Sequence, residues 1–288
     1  MLGGVFHAAT LFLVAAGLQL VFGVQRIVNL ACGSFYAMGA FFGITIVRLG
    51  LAAGVPRLLF PVLLIVAGLL LAAMGPVIER LFLRSIYGRE ESFQLLLTFA
   101  LVLMFEDVIR FFWGTTPYQI GGGLYLAYGQ IKAGALTIPV YNLMVIAASV
   151  AIAAIMGWFL TRTRLGRIVR AVAENPPMSE ALGIDMARVY MLVFSIGVAL
   201  GTVGGALVVP ATAAALDLGI ELIVEAFAVV VIGGLGSMRG ALVGALIVGV
   251  MKAVSIATYP ELEMLAIYLV VIAVLVLRPA GLFARATA

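Results

Sequence analysis

RTRLGRIVRAVAENPPMSEALGIDMAR, residues 162–188, is the long polar interruption in the second half of an otherwise apolar chain, and its reading decides the fold. Arg162, Arg164, Arg167 and Arg170 follow directly on an apolar run that ends at Leu160. Such an arginine cluster beside a membrane segment stays on the cytoplasmic side. Pro176 and Pro177 end any helix begun at Leu165, because proline lacks the amide proton and restricts the residue before it. They also open a new helix: Asn175 can cap it, proline is pre-shaped for the first turn, and Gly183 suits the left-handed residue that ends it. The spacing predicts a two-turn helix, Pro176 to Leu182, about 10 Å long. Taken alone, that element is either a helical turn tied down on the membrane surface or a cytoplasmic docking loop.

Composition agrees with a membrane setting. The chain is 65% hydrophobic and 10% charged, with a mean hydropathy of +1.24, whereas a soluble domain carries roughly 25% charged residues. One spanning helix takes about 20 apolar residues, so 288 residues leave almost nothing for a separate soluble domain. The expectation is one transmembrane domain over residues 1–288. The opening MLGGVFHAATLFLVAAG has no Lys or Arg before Arg26 and reads as a retained first span rather than a signal peptide. A net charge of +4 is spread over short loops, as orientation by positive loops requires, so no nucleic-acid partner is expected.

Chemistry is limited by what is missing. Cys32 and His7 are each alone in the sequence, which argues against a disulfide framework or a protein-only metal site. A Ser–His dyad would have to use His7, so no catalytic set is assigned. No GxxxxGK[ST] motif occurs, so the chain has no P-loop and binds no cofactor of its own; if ATP drives it, another subunit hydrolyses it.

Apolar stretches run from about Val5 to Val24, Leu30 to Val47, Leu58 to Val77, Phe93 to Trp113, Ile138 to Leu160, Val189 to Pro210, Leu222 to Leu235, Ala241 to Ala257 and Met264 to Leu277. This predicts an all-α polytopic protein with about eight to nine membrane segments. With the arginine-rich loop inside, Arg26, Arg80, Arg84, Arg89, Arg162, Arg164, Arg167, Arg170, Arg188, Arg239, Arg278 and Arg285 fall inside; Arg48, Arg57 and Lys132 fall outside. That bias places the N-terminus in the periplasm and the C-terminus in the cytoplasm. Between Gly114 and Thr137, Gly121 to Gly123 with Tyr125 and Tyr128 suggest a flexible external loop. The seventh stretch is short and breaks at Gly233, Gly234, Gly236, Ser237 and Arg239, leaving a bent or partly re-entrant element open. Gly197, Gly201 and Gly205, and again Gly236, Gly240 and Gly244, are spaced for close helix packing.

Charged residues in membrane segments are paired or functional. Glu106 and Asp107 are spaced to pair with Arg110 on one helix, or to couple a proton or substrate. Glu221 and Glu225, one turn apart, suit a helix N-terminus. In NLACGSFYAMGA, residues 29–40, Asn29, Gly33, Ser34 and Tyr36 offer neutral hydrogen-bonding groups, a bare backbone and an aromatic wall for a polar cargo. The competing reading is that Asn29 caps the second helix and Gly33 serves packing.

GLQLVFGVQRIVNLACGSFYAMGAFFG, ERLFLRSIYGREESFQLLLTFALVLMFEDVIRFFWG, TRTRLGRIVRAVAENPPMSEALGID and EAFAVVVIGGLGSMRGALVGALIVG, taken together and in order, resemble the LivH-like permease subunits of branched-chain amino acid ABC importers. The resemblance runs over nearly the whole chain. It implies the ABC importer permease fold, in the bacterial inner membrane, carrying branched-chain or related amino acids or similar small polar solutes. It also implies a second, LivM-like permease subunit, two cytoplasmic ATPase subunits that use ATP and Mg, and a periplasmic binding protein. The segment Pro177, Met178, Glu180, Leu182 and Gly183 matches the region that couples permease to ATPase, and Asn29, Gly33, Ser34 and Tyr36 match a region lining the pathway. A stand-alone secondary transporter, with the embedded carboxylates as ion site, is the alternative, and a membrane enzyme a third.

Overall fold

A computed structural model describes residues 2–120, 128–133 and 136–283. The apolar stretches appear as helices within a few residues of their expected bounds: α1 (Leu2–Gln25), α2 (Cys32–Ala52), α3 (Phe60–Ala72), α4 (Met74–Leu81), α5 (Glu91–Trp113), α6 (Val140–Arg162), α7 (Arg164–Glu174), α8 (Pro176–Ala181), α9 (Met186–Val208), α10 (Leu218–Gly233), α11 (Met238–Thr258) and α12 (Glu263–Leu277). Among the described residues, seven helical stretches are long and apolar enough to cross a membrane, the third running through α3 and α4 from Arg57 to Ile86. The 23-residue α5, which carries Glu106, Asp107 and Arg110, and the 16-residue α10 fall outside that set.

The third stretch is split at Ala73, and the cause is Pro76. It has no amide proton to offer Ala72, four residues back, and its ring crowds that carbonyl. The segment between α5 and α6, expected as an external loop, is not wholly irregular, as an all-α reading assumes. Strands β1 (Gln130–Ala133) and β2 (Leu136–Pro139) form an antiparallel hairpin with Ile131 opposite Ile138. Their β-branched residues suit a half-exposed ribbon. Gly121, Gly122, Gly123 and Tyr125 lie outside the described residues, as does Arg285.

α1 and α9 form the centre. α9 packs on α2, α1, α3 and α4, while α1 packs on α11, α9, α6 and α10. The glycine spacing works as helix packing demands. A side chain on Gly205 would collide with the Tyr36 carbonyl, one on Gly39 with the Thr202 carbonyl, and Gly17 and Gly197 face each other. Gly240 abuts Gly233 and Gly244 abuts the Val229 carbonyl, whereas Gly236 serves the turn with φ +79°. Close approach also allows a hydroxyl to bond across helices: Thr202 Oγ1 donates to the Gly68 carbonyl of α3 at 2.8 Å.

Candidate functional site

Three polar regions interrupt this apolar packing. The first is the link between α1 and α2. Arg26 ends α1 with φ +55°, in the left-handed region. Gln25 Nε2 donates to the Tyr190 carbonyl in the second turn of α9 at 2.8 Å, while the Cys32 carbonyl lies beside Gly201. Those contacts are eleven residues apart on α9, about 16 Å along its axis. Residues 26–31 therefore run non-helically through membrane depth, which is tolerated where protein or water satisfies the backbone. Thr98 Oγ1 of α5 donates to the Val28 carbonyl at 3.2 Å, and Asn29 Oδ1 accepts from the Ala31 amide at 3.1 Å.

Asn29, Ser34 and Tyr36 are all buried. The Asn29 amide nitrogen is buried without a partner, and the Tyr36 hydroxyl is paired with Thr10. Gly33 does face a tight contact, but the contact is α10: a Cβ there would meet the Gly219 carbonyl and, at 2.9 Å, Ile223. The expected open backbone for cargo at Gly33 is closed by this helix. Tyr36 likewise packs inside the bundle rather than walling an open passage.

The second region was not legible as a unit. Glu225 of α10, 3% exposed, accepts from Lys252 of α11 at 2.7 Å and pairs with His7 Nε2 of α1 at 2.5 Å. Lys252 also reaches Glu263, at the start of α12, at 2.8 Å. Four helices thus meet through one chain of polar contacts. Sequence spacing assigned Glu225 with Glu221 to a helix N-terminus; Glu221 does sit in the first turn, but Glu225 belongs to this network. His7 and Lys252 are 245 positions apart in sequence, so no local pattern joins them. Twelve residues below His7, Gln19 holds the other end of α10: its Nε2 donates to the Gly234 carbonyl at 2.9 Å and its Oε1 accepts from the Gly236 amide at 2.5 Å. The break after α10 is therefore pinned to α1.

The third region is the polar loop of residues 162–188. Thr163 caps α7 by accepting from the Gly166 amide, and Asn175 caps α8 by accepting from the Met178 amide at 3.0 Å. Pro176 and Pro177 open α8, Leu182 closes it, and Gly183 takes φ +82°. Ser179 anchors its inner face, donating to the Asn175 carbonyl at 2.9 Å, and is buried. Met178 and Leu182 project outward, 56% and 71% exposed, and Pro177, Glu180 and Gly183 are exposed beside them. Between α4 and the start of α9 lies a groove of about 230 Å³ lined by Glu79, Arg80, Arg84, Asp185, Arg188 and Met191. Tyr87 donates to the buried Glu79 at 2.8 Å; burial first, then that bond, pushes the Tyr87 hydroxyl pKa upward. The Glu106–Asp107–Arg110 pairing is also formed, at 2.8 Å and 3.4 Å.

A many-helix bundle of membrane-spanning length with a capped helix projecting from a basic loop is the architecture of a polytopic membrane protein. The family described as "Branched-chain amino acid transport system / permease component" matches residues 1–275, and the chain belongs to it. It is similar to the high-affinity branched-chain amino acid transport system permease protein BraD of Pseudomonas aeruginosa, 26% identical over 99% of this chain and 95% of BraD. It is equally similar to LivH of Escherichia coli K12, 26% identical over 99% of this chain and 94% of that protein. A probable LivH of Methanocaldococcus jannaschii is 28% identical over 89% of this chain and 80% of its own length. The chain is accordingly a multi-pass inner-membrane transport protein.

Proposed function

We propose that this chain is one permease subunit of an ATP-driven importer for branched-chain or related amino acids. A periplasmic binding protein delivers the cargo, a LivM-like second permease completes the passage, and two cytoplasmic ATPase subunits bind ATP and Mg. The observation that carries the reading is α8: six residues, capped at both ends, anchored by Ser179 and presenting Met178 and Leu182 to solvent. An apolar pair on a rigid short helix suits a cleft in a partner, and Pro177, Glu180 and Gly183 complete the docking surface. Family membership and the missing P-loop favour this over a stand-alone secondary transporter.

The fine topology is part of the proposal: eight or nine membrane segments counting α5 and α10, an outside N-terminus and an inside C-terminus, as the arginine bias supports. Within the chain, Asn29, Gly33, Ser34 and Tyr36 are the pathway segment. Its unpartnered Asn29 amide supports this, and α10, packed over Gly33, withdraws to open it.

Replacing Met178 by Asp and Leu182 by Lys in the reconstituted complex is expected to lower ATP-driven leucine uptake by about tenfold or more while yield stays normal, since a charged contact in an apolar cleft is strongly disfavoured. Normal uptake in both variants would reduce α8 to a surface turn. For the topology, Thr163→Cys is expected to resist an impermeant thiol reagent in intact cells and to react in inverted vesicles; reaction in intact cells would reverse the orientation.

A further inference from the structure

Gly75 brings α4 against α9: a side chain there would meet the Ser195 Cα at 3.0 Å. Beyond that contact, toward the end of α4 and the start of α9, opens the groove of about 230 Å³. Two stretches of membrane-spanning length meet there. Arg57–Ile86 carries Arg80 and Arg84 near its end, and Met186–Val208 carries Arg188 in its first turn. Arginines at the ends of such stretches reach the headgroup level. Arg188 is tied to Asp185 through Nε at 2.8 Å, whereas Arg80 and Arg84, both exposed, form no ion pair among the described residues.

The floor of the groove is a carboxylate. Glu79 is 1% exposed and lines the groove, yet no described cation pairs with it. Tyr87 donates to Oε1 at 2.8 Å, and Oε2 has no hydrogen-bond partner among the described residues. Unlike the orphaned Asn29 nitrogen, that oxygen is not sealed in protein. A buried carboxylate without a cation carries a large desolvation cost, and the groove is the side from which a cation can reach it. Guanidinium groups at the rim and a carboxylate below them complement a zwitterion with a primary ammonium close to an anion. On the outer face of α4, Val77 lies one turn before Arg80 and Leu81, and these apolar side chains are 54% and 68% exposed.

We propose that the groove binds the headgroup of an ethanolamine phospholipid. Arg80 and Arg84 hold the phosphate, which guanidinium groups bind in paired hydrogen bonds, Glu79 receives the ammonium, and the acyl chains lie along Val77 and Leu81. Basic pockets between membrane helices take phospholipid headgroups; the buried carboxylate adds selection for the amine. A free amino acid would present the same two charges but leave Val77 and Leu81 uncovered.

The test uses the full chain, purified in detergent, stripped of lipid and supplied with equal amounts of phosphatidylethanolamine and phosphatidylglycerol, with bound lipid counted by native mass spectrometry. Wild type is expected to retain the ethanolamine lipid about tenfold over phosphatidylglycerol, and Glu79→Gln to hold the two equally, as loss of a charge-assisted contact predicts. Arg80→Ala combined with Arg84→Ala, both exposed positions, should lose both lipids. Tyr87→Phe removes a bond but no charge and should keep the preference. Equal retention of the two lipids by wild type, or unchanged retention in the double arginine variant, would overturn the proposal even where Glu79→Gln fails to fold. A preference lost in Tyr87→Phe as fully as in Glu79→Gln would make Glu79 a structural prop and overturn the ammonium contact. Displacement of the bound lipid by millimolar leucine would make the groove an amino-acid site, and displacement by ATPase subunits a subunit contact; either would overturn the lipid assignment.

Discussion

Helices α9 and α6 are both 23 residues long and strongly apolar, yet 72% of the most apolar 18-residue stretch of the first and 17% of that of the second is buried within the chain. Hydropathy does not separate them, because hydrocarbon and protein interior are similar solvents for leucine and valine. What separates them is whether their glycines meet a neighbouring helix. α9 carries Gly197, Gly201 and Gly205 against its neighbours' backbones, whereas Gly157 of α6 has nothing within 4 Å of where a side chain would start. α6 instead presents Val150, Ile155 and Trp158 outward. In this protein, helix contacts are set by where backbones approach, and the polar groups follow them inward: Thr202 to Gly68, and Glu225 to His7 and Lys252.

The comparison is broken most severely by exchanging the glycines' surroundings. Gly205→Leu forces a side chain into the Tyr36 carbonyl, and overpacking costs about 1–3 kcal/mol or more. Because Gly205 meets backbone, which yields little, detergent-soluble folded protein should nearly vanish, while Gly157→Leu should leave yield and melting temperature unchanged. Equal effects of the two would remove the distinction between inner and outer helices.

A smaller but still large effect is expected at the network. Glu225→Ala leaves His7 unpaired and strands one side of Lys252, and breaking a buried ion pair costs about 3–5 kcal/mol. Lys252 keeps Glu263, so the loss should fall toward the lower end. It would show as a lowered thermal midpoint of the purified chain, with Arg188→Ala, which removes an exposed ion pair but leaves the Asp185 cap of α9 in place, as the control that barely moves. Should the two variants melt alike, the buried network is not a structural tie.

The smallest effect tests a single interhelical bond. Thr202→Val preserves shape and removes the donation to the Gly68 carbonyl. In membrane interiors such bonds contribute about 0.6 kcal/mol on average, so the thermal midpoint should fall slightly, and a rise would show that close packing of α9 on α3 needs no hydroxyl.

Much of this was legible in the sequence for local reasons. Cap, proline and glycine chemistry acts within a few residues, so Asn175, Pro176, Pro177 and Gly183 specified α8 without reference to the rest of the chain. The glycine spacings on α9 and α11 announced close packing, though not its partners. The link between α1 and α2 was read less fully: Asn29 as a polar group was evident, but that its nitrogen is buried without a partner depends on how distant segments pack around it. The seventh stretch read as short and broken because its glycines are local signals, while the Gln19 clamp on the break lies more than two hundred residues away.

The sequence alone determined that this is a membrane protein of many apolar helices, with a short capped helix in an arginine-rich loop, since hydropathy, charge and capping are properties of neighbouring residues. Which helices form the interior, which charge meets which, and which face of α5 turns outward were decided by tertiary structure. Those outcomes require side chains from distant segments to meet at one place, and an apolar pattern uniform enough to satisfy lipid carries no record of the helix it will touch.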